Sequence, residues 1–147
     1  MTGKIPELDY FVGHWHAEAT NPANGETFTL DYRVAPALQG RWYIGTGTAP
    51  ALGLDIHDLW GKDPVTGEIV RAIFDSAQTM GTVRSPGWSG DVLVLEGDAA
   101  ATGGTVRVRE TITRTSEDEF HAVWEAKTGD TWSAYSIETL RRQPAEG

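Results

Sequence analysis

Apolar and polar residues alternate with a period of two along almost the whole 147-residue chain, and a helical stripe is nearly absent. In residues 27–34, Phe28, Leu30, Tyr32 and Val34 share one face, while Thr27, Thr29, Asp31 and Arg33 share the other. That is the pattern of a half-buried antiparallel strand. Similar runs at about 14–20, 40–48, 55–61, 68–75, 79–85, 91–97, 105–114, 119–127 and 131–142 bring the predicted strands to ten.

The separators carry hairpin chemistry. Asn24-Gly25, Asp63-Pro64-Val65-Thr66-Gly67 and Thr128-Gly129-Asp130 are turn sequences, and Ser85-Pro86-Gly87 and residues 98–104 mark two further breaks. Only residues 6–12 read as helical, with Pro6 at a first helical position and Leu8, Phe11 and Val12 apolar. Short strands without crossover helices predict one all-β domain over residues 1–147, with 143–147 as a frayed tail. Closing the sheet removes exposed edges, which favours an antiparallel barrel of eight to ten strands with a short N-terminal helix. A barrel of that size holds one small ligand.

Charge and composition exclude several functions. Lys and Arg number 12 against 21 Asp and Glu, a formal net charge of -9, and the basic residues are scattered, so nucleic acid is not an expected partner. With no Cys, disulfides, thiolate metal sites and a thiol nucleophile are excluded. There is no His-Glu-x-x-His pattern and no Asp-rich loop, so no metal site is expected, and His14 and His16 read as surface residues opposite Trp15. No Gly-x-Ser-x-Gly elbow is present, and neither Gly45-Thr46-Gly47 nor Gly103-Gly104 precedes a helix that would bind phosphate. No apolar run approaches 18 residues and residues 1–12 lack a cleavable signal, so the expectation is a cytoplasmic protein without a membrane partner or built-in cofactor. Monomer and homodimer both remain open.

Gly13-His14-Trp15, at the start of the first predicted strand, resembles the Gly-x-Trp signature of lipocalin-like (calycin) barrels. The resemblance implies that Trp15 packs across the closed end and that an Arg from a late strand stacks on it; Arg141 or Arg142, ending the last strand, is placed to do so. The order of LDYFVGHW, LQGRWY, HDLWGKDPVTGEIVRAIFDS, RETITR and an Arg-terminated final strand is also similar to a bacterial lipocalin-like domain family of unknown function, from about Leu8 to Arg142. The resemblance implies a ligand-binding barrel. Related barrels include haem-binding nitrobindin-like proteins, fatty-acid carriers, and some cyclases and isomerases, so function must be argued from the site.

Four residues are candidates for acid/base chemistry. His57 lies in Asp55-Ile56-His57-Asp58-Leu59-Trp60, where alternation breaks down; it is either an inward imidazole favoured as a cation by its acidic neighbours or a loop-edge histidine held by a carboxylate. Asp75 is in phase with Arg71, as an interior partner or as a surface pair. Glu110 is in phase with Val106, Val108 and Ile112, which puts it either in the lumen with a raised pKa or at the rim beside an Arg. Tyr135 is a candidate hydrogen-bond donor, out of phase with Trp132.

The expected ligand wall is aromatic. Trp124 alternates inward with small neighbours Ala122 and Ala126, Tyr32 and Trp42 join it across strands, and Trp60 and Trp88, beside Gly-containing turns, rim the mouth. The leading reading is a barrel that binds a small, mostly hydrophobic or aromatic molecule, with Arg71 among the groups that orient it. A metal-independent isomerase or cyclase using the same pocket is the alternative. A haem-binding barrel with His121 or His57 as axial ligand is third.

Overall fold

A computed structural model of the chain describes residues 3–145; the last two residues of the expected tail lie outside the described residues. The ten strands are β1 (Gly13–Thr20), β2 (Thr27–Ala37), β3 (Trp42–Ala49), β4 (Leu54–Lys62), β5 (Ile69–Asp75), β6 (Met80–Ser85), β7 (Val92–Ala101), β8 (Gly104–Ser116), β9 (Glu119–Thr128) and β10 (Thr131–Arg142). Each pairs antiparallel with the next, and β10 returns to β1, closing the barrel. The closing seam runs from Trp15 opposite Arg142 to Thr20 opposite Ile137. Among the described residues no helix is long and apolar enough to cross a membrane.

The hairpin turns follow from local chemistry. In the β4–β5 turn, Asp63 Oδ1 accepts from the amides of Val65 (2.8 Å) and Thr66 (3.3 Å). Gly67 then takes φ 75°, a conformation that a Cβ would strain. The predicted N-terminal helix forms as a 3-10 helix over Pro6–Phe11.

This helix lies across one end and plugs it. Phe11 stacks on Trp60 (centroids 4.9 Å apart) and on Trp88 (5.7 Å), and meets Phe120 edge-on (5.4 Å). Trp15 is fully buried beside them, with its indole N–H donating to Phe11 O at 2.8 Å. Tyr43 O–H, also fully buried, donates to Asp9 Oδ1 at 2.5 Å and ties the helix to β3. Aromatic rings that bury a large area while satisfying their polar atoms suit such a plug.

The guanidinium on Trp15 is that of Arg142, 4.2 Å from the ring, donating to Val12 O (2.6 Å), Tyr10 O (2.9 Å) and Glu117 O (3.0 Å). Arg141 projects from the outer face and pairs with Glu119, which corrects the expectation for it. The reason is strand parity: Leu140 points inward, so Arg142 does and Arg141 does not.

Candidate functional site

Above the plug the barrel is hollow. A cavity of about 870 Å³ opens between the β1–β2, β3–β4 and β5–β6 connections, and Phe11, Trp60 and Phe120 from the plug form its floor. Its walls are largely apolar, with Phe28 and Leu30 from β2, Ile73 from β5, Val108 and Ile112 from β8 and Trp124 from β9. The space exists because neighbouring inward positions are small: Ala17 and Ala19 on β1, and Gly45, Gly47 and Ala49 on β3.

On one side of the floor lies a buried polar network centred on Arg71. Its Nε and Nη2 both donate to Asp58 Oδ2 (2.9 and 2.6 Å), and its Nη1 donates to Glu110 Oε1 at 2.5 Å. The guanidinium lies 4.4 Å from the Trp60 ring. Tyr32 O–H donates to Asp58 at 2.8 Å, and Trp60 Nε1 donates in turn to Tyr32 Oη at 2.9 Å. A chain of donors therefore runs from Trp60 through Tyr32 to Asp58, and Arg71 links Asp58 to Glu110. Gly45 makes this possible, since a Cβ there would overlap Asp58 Oδ1 and Tyr32 Oη.

Burial and mutual charge set the protonation of these groups. Burial alone would depress the guanidinium, but Glu110 and Asp58 outweigh it and hold Arg71 firmly charged. Burial, reinforced by the charge of Asp58, pushes the Tyr32 phenol well up, so it stays a donor. Glu110 is raised above the usual carboxylate range by burial, opposed by Arg71.

A third carboxylate enters from β10. Glu138 lines the cavity, accepts from Ser136 Oγ at 2.9 Å, and is pushed up to about 7 by burial and then by the charge of Glu110. Tyr135 stands nearer the mouth, 6.4 Å from Trp124 between centroids, its phenol raised by burial and by Glu110 and Glu138. Both Tyr135 and Ser136 line the cavity because the β9–β10 ladder slips between Ala134 and Ser136, a bulge that leaves one residue unpaired.

Glu110, Arg71, Tyr32, Trp60, Trp124 and Tyr135 are thus brought to one cavity. Asp75 also lines it, but its Oδ1 caps the β5–β6 turn by accepting from Ala77 N (3.0 Å) and Thr79 N (2.9 Å), and Arg71 pairs elsewhere. His57 is exposed on the outer face, because Ile56, Asp58 and Trp60 are the inward residues of β4. Trp42 faces outward and covers Gly61, where a Cβ would overlap its ring. Trp88 sits at the closed end instead of the mouth, with its indole N–H donating to Glu7 O at 2.8 Å and Arg114 3.8 Å from its ring. Trp60, expected at the rim, lies on the floor. His121 is on the outer wall, with Thr139 Oγ1 3.0 Å from its Nδ1 and Glu119 beside it, so neither histidine weighed as a haem ligand faces the lumen.

Asp58, Ser136 and Glu138 were missed. Asp58 shares a phase with Trp60, and Glu138 shares one with Leu140; those two apolar residues were the signals that carried them inward. Among the described residues no group of three or more His, Cys, Asp or Glu is arranged to hold a metal ion.

The fold and site define a closed, ten-stranded antiparallel β-barrel with a plugged base and an open lumen that has an aromatic floor and a buried polar network beside it. No protein-family model matches the chain. No curated protein matches it in sequence either. Among solved structures, a redesigned β-barrel is similar over 97% of this chain and 100% of its own, at 16% identity and a TM-score of 0.45.

Proposed function

We propose that this barrel binds one small, mostly hydrophobic or aromatic molecule in its lumen. The observation that carries the reading is the cavity of about 870 Å³, within the range of small-molecule sites, with apolar and aromatic walls and a few convergent polar groups. Apolar burial against Trp124, Phe28 and Ile73 supplies affinity, and Glu110, Glu138 and Tyr135 fix orientation. The lipocalin-like reading draws support from Trp15 opening β1 and Arg142 stacking on it from β10.

A second reading is favoured by one observation. Glu138, pushed up to about 7, faces the cavity with Glu110 and Tyr135, an arrangement suited to proton transfer in a cofactor-independent isomerisation or cyclisation.

Native mass spectrometry of gently purified protein tests the first reading, followed by denaturation and identification of any released molecule. A stoichiometric adduct that Ala99→Phe, which fills the cavity mouth, excludes is the expected result. An adduct-free protein whose tryptophan fluorescence does not respond to naphthalene-sized probes would overturn it. Release of a chemically altered compound, lost in Glu138→Gln, would move weight to the enzyme.

A further inference from the structure

The charge balance of the lumen is lopsided. Four carboxylates line the cavity, Glu26 and Asp75 at the mouth and Glu110 and Glu138 deeper, against a single lining cation, Arg71. That cation is already matched, since it is ion-paired to both Asp58 and Glu110. Glu110 is 3% exposed, yet only its Oε1 is engaged; among the described residues its Oε2 has no hydrogen-bond partner. Glu138 likewise uses Oε2 for Ser136, and its Oε1 has no hydrogen-bond partner among the described residues. Two carboxylate oxygens are therefore left for whatever fills the cavity.

A filling ligand displaces water from these carboxylates, and a group that cannot replace its hydrogen bonds leaves buried acceptors unmet. An anion would add a like charge to four carboxylates. An ammonium brings several donors and the missing charge together, and charge-assisted hydrogen bonds to carboxylate are among the strong ones. The faces of Trp124 and Tyr135, tilted 37° to one another nearby, attract the same cation and bury its carbon skeleton. Glu26 and Asp75 at the entrance draw cations in.

We propose that the lumen ligand is an amphipathic organic amine, its ammonium held by Glu138 and Glu110 and its apolar part lying against Trp124 and Tyr135. This deepens the binding function proposed above and rests on it.

The test uses three probes with one aryl group and different charge: 2-(2-naphthyl)ethylamine, 2-(2-naphthyl)ethanol and 2-naphthylacetate. Calorimetric titration of the full chain at pH 8 and low salt should rank amine over alcohol by at least tenfold, with the acetate weakest. Glu138→Gln, which breaks no ion pair of Arg71, should cut the amine's affinity at least tenfold and leave the alcohol within about twofold. Glu110→Gln should act in the same direction, and His57→Ala, on the outer face, should change neither. Equal or tighter binding of the alcohol or acetate would overturn the amine assignment while leaving a lumen site standing. No binding of any probe by folded protein would overturn both.

Discussion

Replacing Arg71 by Met keeps an unbranched stem against Trp60 and removes the charge that Asp58 and Glu110 share. The side chains involved are 10%, 0% and 5% exposed, so Asp58 cannot recover its hydration without the barrel opening, and Glu110 meets water only on its cavity side. Breaking a buried ion pair from one side costs about 3–5 kcal/mol, a large part of a total stability of roughly 5–15 kcal/mol. For a chain of this length the loss corresponds to a fall in Tm of roughly 6–20 °C. The six tryptophans allow urea unfolding to be followed by intrinsic fluorescence.

The penalty should depend on pH, with a sign fixed by linkage. Glu110 is already raised by burial against the pull of Arg71, so without the guanidinium its folded-state pKa lies further above the unfolded value. Such a group contributes stability that is fully present below the unfolded pKa and lost as pH rises through the folded one. The deficit of Arg71→Met against the parent should therefore be larger at pH 8 than at pH 5. The triple variant Arg71→Met, Asp58→Asn, Glu110→Gln, which strands no charge, should recover at least half of it. A single variant within about 0.5 kcal/mol of the parent at pH 8, or a deficit indifferent to pH, would refute the reasoning that the guanidinium holds two buried charges.

At the closed end, Arg142→Ala removes the cation over Trp15 and its bonds to three carbonyls, and should cost about 2–4 kcal/mol in urea unfolding, while Arg141→Ala stays within about 0.5. Gly45→Ala drives a methyl into Asp58 and Tyr32 and should cost about 1–3 kcal/mol. Gly47→Ala, whose Cβ would meet Leu30 Cδ1 at 3.3 Å and Tyr32 Cδ1 at 3.4 Å and overlaps neither, should stay within about 1 kcal/mol by the same measurement. Glu138 is raised to about 7, faced by Glu110 on β8 and Arg71 on β5 with Tyr135 and Ser136 beside it, so its contribution to stability falls as pH rises through neutrality. Thermal melts should show the parent losing Tm between pH 6 and 8, and Glu138→Gln flattening that slope.

Strand existence was legible because it rests on local alternation and turn residues, and all ten predicted strands are present. Which face turns inward was less legible, because it is a property of neighbouring strands. In β4 both phases carry a titratable group. His57 drew the eye as the residue of mid-range pKa, yet Trp60 is too large and apolar to sit in water opposite it, and its phase carries Asp58 to Arg71. In β3 the choice between Trp42 and the run Tyr43, Gly45, Gly47 and Ala49 reverses the usual preference for burying the largest side chain. The small residues are inside because Tyr32 and Asp58 need the room, and that requirement appears only once β2, β3 and β4 are side by side. Trp88 belongs to no strand, so alternation said nothing of it.

The bulge in β10 has an arithmetic of its own. Ala134 pairs with Glu125 and Ser136 with Trp124, so Tyr135 is surplus to the ladder. Excising Tyr135 would heal the sheet into unbroken alternation, with Ser136, Glu138 and Leu140 still facing the interior and Trp132 still outside against Arg109. The scaffold is thus complete at one residue fewer, and the phenol at the mouth is an insertion the architecture accommodates without using. Loss of this residue from the chain would leave the same barrel with a wider entrance, which makes Tyr135 a natural place for barrels of this design to differ in what they admit.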